Sequence, residues 1–242
     1  MRYAIFSDVH SNLEAWEAVL GAYKKEAIDC YICAGDIVGY ATNPHECIRI
    51  IKEISHISVA GNHDWASVGL FSLDYLNSLA KKAVIWTKER LTDEEKDYLS
   101  SLKPVFMNDD LALVHGSLNS PEEFLYITDV KSAEECFRFL RNQVCFVGHL
   151  HISGVFIKDK MGRIFYKQFS YLKIEKENKY IINVGSVGQP RDGNRQACYC
   201  IYDTAKNEVW IKRIDYDIKS AYNKIIEAGL PLFLAQRLYL GR

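Results

Sequence analysis

Short apolar runs and helix-period stripes alternate along the first 150 residues. Arg2–Phe6 reads as a buried strand, and Ser7–Asn12 as a polar loop. Leu13, Trp16, Leu20, Tyr23 and Ala27 then recur at intervals of 3, 4, 3 and 4, which makes one stripe of a helix over about Leu13–Glu26. Ser11 and Glu14 have the spacing of a capping box at its start. A strand at Cys30–Ala34 leads into a turn-rich loop, and Pro44 opens a second helix where a missing N–H costs nothing. A strand at Ile57–Ala60 ends in Gly61-Asn62. Leu73–Leu102 reads as helical, with Leu76, Leu79, Ala83 and Trp86 on one face and Thr92 and Glu95 as another capping box. Strands at Val105–Met107 and Leu111–His115, a helix near Ser132–Arg141 and a strand at Val144–Gly148 follow. Repetition of strand, loop and helix predicts a parallel sheet covered by helices, with ligands gathered at the carboxyl ends of the strands.

From Gly154 the pattern changes. Gly154–Ile157, Arg163–Phe169, Tyr180–Asn183, Ala197–Asp203 and Glu208–Ile214 read as strands joined by turns, which predicts an antiparallel meander. Lys173–Lys179 alternates in sign and reads as a solvated hairpin. Phe165, Tyr166 and Tyr171 read as sheet packing rather than a base-stacking platform. A helical hairpin at about 218–240 closes the chain, its first helix stopped by Gly229 and its second opened by Pro231. Its apolar residues Leu230, Leu232, Phe233, Leu234, Leu238 and Leu240 are expected to pack on the chain's own sheets or on a second copy in a homo-oligomer. With no linker or repeat in between, residues 1–242 are expected to form one domain around two packed sheets.

Composition narrows the classes of function. A chain of 48% hydrophobic and 25% charged residues is an ordinary globular protein. Thirty basic residues against 31 acidic ones leave no global field to hold extended nucleic acid. No apolar stretch is long enough to span a bilayer, so no membrane partner is expected, and the N-terminus lacks the layout of a secretory signal. Most of the seven cysteines lie in apolar runs, as reduced thiols do, and a cytoplasmic location is expected. Cys30 and Cys33 point to opposite faces of a strand and make no redox or zinc pair, whereas Cys198 and Cys200 share a face and read as core.

The histidines carry the sharpest chemical signal. Five of the seven, His10, His63, His115, His149 and His151, follow a predicted strand within a few residues, whereas His45 and His56 lie elsewhere. The segments are Asp8-Val-His10, Gly35-Asp36, Gly61-Asn-His-Asp64, His115-Gly-Ser117 and Gly148-His-Leu-His151. A lone histidine of this kind is more often an ordinary core or surface residue; scattered core histidines do not account for five such segments. Two carboxylates, an amide and several imidazoles suit Mn, Fe, Co, Ni or Zn, and are too rich in nitrogen for a dedicated Ca or Mg site. Seven ligands exceed the usual protein share of one ion and suit two that share a carboxylate. If the strands continue, Asp8 and His10 face one way, as do His149 and His151.

In this order the segments resemble the calcineurin-like metallophosphoesterase superfamily, over Asp8–His151. Ser7-Asp-Val-His-Ser-Asn-Leu-Glu14, Gly35-Asp-Ile-Val-Gly-Tyr40, Gly185-Ser-Val-Gly-Gln-Pro-Arg191 and the final Ala228-Gly-Leu-Pro231 hairpin are similar to a narrower group. That group is the single-domain prokaryotic phosphoesterases related to diadenosine tetraphosphatases. The resemblance implies an α/β fold of two mixed sheets packed as a sandwich and flanked by helices, four layers in all. It implies that Asp8, His10 and His151 hold one divalent transition metal ion, Asn62, His115 and His149 a second, and that Asp36 bridges them. It further implies hydrolysis of a small phosphate ester (a phosphodiester, a nucleotide or a dinucleoside polyphosphate) by in-line attack of a metal-bridging hydroxide. His63 is expected to stay off the metals and face the substrate; Asp64 beside it is a candidate to orient it, which the sequence leaves open. Arg191, Asn12 and Tyr40 are the candidate substrate contacts, against a solvated loop arginine, local helix capping and exposed loop polarity as the respective alternatives. Val184 departs from the usual late loop, where proline follows asparagine, without removing a ligand. A silent scaffold of the same fold is expected to lack ligands. A nuclease is expected to carry a basic platform, and a protein phosphatase arginine clamps where Val38-Gly39-Tyr40 stands.

Overall fold

Tyr3 and Ile5 point to one side of the first strand, and Ala4 and Phe6 to the other. All four are buried, so each face of that strand has a layer against it. The same alternation recurs in Cys198, Cys200 and Tyr202 against Ala197, Tyr199 and Ile201, and in Val144 and Phe146 against Cys145 and Val147. The inward sets meet in one core between two sheets, and the outward sets are covered by helices. Cys30 and Cys33 fall on opposite faces, and all seven cysteines are free and buried.

The computed structural model describes residues 1–242. Its strands are β1 (Arg2–Phe6), β2 (Cys30–Cys33), β3 (Ile57–Ser58), β4 (Val105–Met107), β5 (Ala112–Val114) and β6 (Val144–Val147), then β7 (Gly154–Lys158), β8 (Ile164–Lys167), β9 (Tyr171–Lys173), β10 (Lys179–Asn183), β11 (Ala197–Asp203) and β12 (Glu208–Ile214). The helices are α1 (Leu13–Tyr23), α2 (Pro44–Ile54), α3 (Asn62–Val68), α4 (Ser78–Lys88), α5 (Asp93–Ser101), α6 (Val130–Phe139), α7 (Ile218–Glu227) and α8 (Leu232–Leu240). One sheet runs β3-β2-β1-β11-β12-β9, the other β4-β5-β6-β10-β7-β8. Both are mixed: β1, β2 and β3 are parallel, as are β5, β6 and β10, and the remaining pairs are antiparallel. No helix is long and apolar enough to cross a membrane.

Several expectations change. The late strands do not form one meander. β7, β8 and β10 join one sheet, while β9, β11 and β12 join the other. Residues 173–179 are therefore not a hairpin but the passage from one sheet to the other, between β9 and β10. The run Leu73–Leu102 breaks into a 3-10 turn at Leu73–Tyr75 and helices α4 and α5, with Thr92 and Glu95 forming the expected capping box at α5. Ser11 and Glu14 form no box: Ser11 has φ 58, and Asn12 caps α1 by accepting from the Ala15 N–H at 3.2 Å. The α7–α8 hairpin packs on α4 and Tyr40 through Leu230, Leu234 and Leu238, while Leu232, Phe233 and Leu240 stay about half exposed.

Candidate metal centre

Parallel pairing brings the carboxyl ends of β1, β2 and β3 to one edge of the first sheet, and those of β5, β6 and β10 to the matching edge of the second. The loops that leave these ends are bonded to one another. Asp8 N donates to Gly35 O at 2.9 Å, His10 N to Asp36 O at 3.0 Å, and Gly148 N to His115 O at 3.0 Å. Across the sandwich, Val187 N donates to Ser7 O at 3.0 Å, and His149 N donates to the Asp8 carboxylate at 3.1 Å. Close approach at this seam requires glycine: a Cβ on Gly148 would overlap Ser7 Oγ, and one on Gly61 would overlap the Asp36 carboxylate.

The strands do not continue through the motifs. Ten non-glycine residues have positive φ, and seven of them, Asp8, His10, Ser11, Asp36, Tyr40, His149 and His151, lie in these loops. Each costs on the order of 1–3 kcal/mol, which the surrounding packing must offset. The simple argument that alternate residues of a strand share a face is thus replaced by left-handed turns that aim both members of each pair inward.

Two donor sets result. Asp8, His10, Asp36 and His151 offer ligand atoms within 4.8 Å of one another, as do Asp36, His115 and His149; Asp36 is common to both. All six are buried. Main-chain carbonyls set the tautomers: Val38 O lies 3.0 Å from His10 Nδ1, Ala34 O 2.7 Å from His115 Nδ1, and Gln189 O 2.6 Å from His151 Nδ1. A carbonyl only accepts, so each Nδ1 carries the hydrogen and each neutral ring presents a lone pair at Nε2. These lone pairs converge. His10 Nε2 and His151 Nε2 are 3.1 Å apart, His151 Nε2 is 3.1 Å from Asp8 Oδ1, and His115 Nε2 is 3.3 Å from Asp36 Oδ2. Facing lone pairs repel unless a proton or a cation lies between them. Asn62 Oδ1 is also buried and has no hydrogen-bond partner. This donor set therefore fits divalent cations held by nitrogen and oxygen.

The electrostatics agree for His10, His149 and His151, and differ at His115, which without a cation beside it holds a proton on Nε2 against the carboxylates. Burial holds His10 and His149 well below the ordinary histidine range and lowers His151, which favours the uncharged, metal-binding form. Burial would lower His115 too, but the Asp36 and Asp8 carboxylates beside it raise it to about 9. Burial opposes the charges of Asp8 and Asp36, yet the neighbouring imidazoles hold both carboxyls well below their usual range.

The other expected site residues separate into groups. His63 lies outside both donor sets, with its ring 4.5 Å from that of Tyr40 and 4.7 Å from that of His10, and its Nδ1 is buried without a partner. Asp64 does not orient it. The Asp64 carboxylate accepts from Gly61 N at 3.0 Å and Val38 N at 3.1 Å, so it ties the Asp36 loop to the start of α3. Burial and the charge of Asp36 push Asp64 up to about 7. Asn12 also serves the scaffold: its oxygen caps α1 and its nitrogen donates to Gly188 O at 2.8 Å. Arg191 sits at the edge of the centre, its guanidinium 5.5 Å from the Tyr40 ring and its Nε buried without a partner. Sequence reasoning missed Arg237 of α8. Burial and then the Arg191 charge lower it to about 10, and neither arginine pairs with an Asp or Glu carboxylate. It missed Tyr126 as well, whose ring stacks on His149 at 3.8 Å. Both meetings are tertiary and leave no local motif.

Residues 1–207 match the calcineurin-like phosphoesterase superfamily domain. An uncharacterized protein of Methanocaldococcus jannaschii is 40% identical over 249 residues, spanning 99% of this chain and 98% of that protein. The crystal structure of a metallophosphoesterase from Sphaerobacter thermophilus is similar with a TM-score of 0.90 and 38% identity, over 100% of this chain and 99% of that one. A hypothetical protein from Pyrococcus horikoshii OT3 shares the fold at a TM-score of 0.80 and 19% identity, over 100% and 98% of the two chains. With this sandwich, and with its cluster of buried carboxylates and imidazoles, the chain belongs to the calcineurin-like phosphoesterase superfamily and is a metal-dependent phosphoester hydrolase.

Proposed function

We propose that the chain hydrolyses small phosphate esters with two divalent transition metal ions. The observation that carries this reading is the pair of donor sets overlapping at Asp36. Asp8, His10 and His151 would hold one ion, Asn62, His115 and His149 the other, and Asp36 both. When bound, such ions supply Lewis acidity toward phosphoryl oxygens and make water a nucleophile near neutral pH. The protein's own residues do the remaining work. The fixed Nδ1–carbonyl bonds keep the imidazoles aimed without reorganisation. His63 borders the open space beside the centre, where it can donate a hydrogen bond to a phosphoryl or leaving oxygen. Arg191 and Arg237 place positive charge on the Tyr40 side for an anionic ester; Arg191 donates to Gln189 Oε1 at 3.0 Å and Arg237 to Arg242 O, and neither meets an Asp or Glu.

Elemental analysis of purified protein is expected to give close to two transition metal ions per chain, and chelation to abolish turnover. His63→Ala is expected to keep the metal while slowing turnover by about 10²–10⁴-fold. Full activity in metal-free protein overturns the reading, and loss of metal from His63→Ala overturns the placement of His63.

A further inference from the structure

A cleft of about 600 Å³ opens beside the donor sets, lined by Asn62, His63 and His149, of which His149 belongs to a donor set. Two segments outside the sheets build its walls, 70–76 after α3 and 122–126 after β5. The Phe71 ring meets Phe124 edge-on at 5.2 Å and lies 5.4 Å from Tyr75, and the Tyr126 ring lies flat on His149. Tyr75 is 79% exposed, Leu70 56% and Tyr126 50%, so this wall presents large apolar surface to water at the mouth of the centre. The charged residues of the lining are Glu122 and Glu123; it contains no lysine or arginine. Arg191 stands at the opposite end of the lining, its guanidinium 5.5 Å from the Tyr40 ring, with Arg237 near it.

This asymmetry selects among esters. A chain of further phosphates directed along the 122–126 wall would meet two carboxylates, with the arginines at the other, Tyr40 end. A flat, uncharged group would cover aromatic rings that water now covers, and a cleft of this size admits one. We propose that the cleft binds the organic group of the ester, and that this group is aromatic and uncharged, of the nucleoside or aryl type, joined to the centre through a single phosphoryl linkage. The assignment rests on the phosphate-ester reading above, and deepens it by naming the class of substrate.

The test compares phenyl phosphate with 2-naphthyl phosphate in the metal-loaded enzyme, and titrates 2-naphthol into metal-free protein by calorimetry. The naphthyl ester is expected to be preferred about tenfold in kcat/KM, mostly through KM. In Tyr75→Ala, a change at an exposed side chain, the naphthyl-to-phenyl ratio is expected to fall toward one, and naphthol binding to weaken at least about fivefold. Glu122→Gln combined with Glu123→Gln is expected to raise kcat/KM for a nucleoside diphosphate relative to the monophosphate. If no ester is hydrolysed, the phosphoesterase reading fails while the naphthol titration still decides the cleft. If esters turn over but the ratio is one and naphthol does not bind, the cleft assignment is overturned. A Tyr75→Ala variant that changes its sedimentation coefficient and leaves the ratio intact overturns it as well, by making this face a contact between copies.

Discussion

Phe146 and His149 stand three residues apart, one inside a strand and one just past its end. Phe146 is fully buried between the sheets, in extended backbone, with its ring 5.4 Å from that of Tyr202. His149 is also buried, but it has φ 66, a ring that burial keeps uncharged, and a place in a donor set. The first position adds stability through removal of apolar surface from water. The second carries strained backbone and buried polar atoms that another element must compensate. Folding free energy and chemical capacity are thus supplied by neighbouring stretches of the same chain, with the boundary at the last ladder residue of each parallel strand.

Substitutions on either side of that boundary test the division. The largest effect is expected at the chemical end. Asp36→Asn keeps the side-chain volume and an acceptor for the His63 N–H, now 2.8 Å from Oδ1, but removes the charge shared by both donor sets. Metal content measured by elemental analysis is expected to collapse and turnover to fall by more than about 100-fold, beyond what loss of an outer partner causes. Melting of the metal-free form is expected to shift far less than in the next variant. Phe146→Ala opens a cavity in the inter-sheet core and is expected to cost about 3–5 kcal/mol in urea unfolding. Its folded fraction should still take up metal. If Phe146→Ala abolishes uptake while fully folded, the two regions are not separable.

Alkaline pH probes the core from another direction. Tyr23 is fully buried, and its hydroxyl donates to Ile5 O at 2.9 Å and Cys200 O at 3.1 Å, which fastens α1 to β1 and β11. Burial, followed by the nearby Cys200 and Tyr199, holds its phenol well above 10. Below pH 10 the proton is bound in both folded and unfolded chains and the contribution is intact. Above it the unfolded chain releases the proton and the folded one does not, so stability falls as pH rises. Tyr23→Phe is expected to lose about 1 kcal/mol at neutral pH and to flatten the decline in melting temperature between pH 9 and 11. The smallest effect is expected at Gly21, in α1, where a Cβ would meet nothing within 4 Å. Gly21→Ala is expected to stabilise by about 0.5–1 kcal/mol in denaturant melts and to leave turnover unchanged.

The strand interiors were readable in the sequence because burial on both faces leaves near-continuous apolar runs. β11, buried throughout, appears at the residues expected for it, Ala197–Asp203, and β12, whose apolar and polar residues partly alternate, at Glu208–Ile214. Partner choice was not readable. β9 is three residues long and pairs with β12 across more than thirty intervening residues, so nothing local assigns it to its sheet. At the carboxyl ends, residue types survive in the sequence but geometry does not. Asp8, His10, Asp36, His115, His149 and His151 could be singled out as donors, yet the left-handed turns that converge them have no glycine signature at those positions. The hydrogen bonds of Asp64 to Val38 and of Asn12 to Gly188 were hidden for the same reason, since those partners come from other loops, whereas the capping of α1 by Asn12 was legible locally. Arg237 lies 46 residues beyond Arg191, and they come together through the docking of α8, whose end accepts at Gly241 O from Gly193 N at 2.9 Å.

Asp8 and Asp36 leave the edge of one sheet, whereas His115, His149 and His151 leave the edge of the other. Ions shared among them would rivet the two halves of the sandwich at the end where the loops are most strained, much as a cystine clasps layers in a secreted domain. Resistance to heat should then track the concentration of free metal, growing as the logarithm of its ratio to the dissociation constant. Starvation for the ion would cost the cell a folded protein as well as a working one.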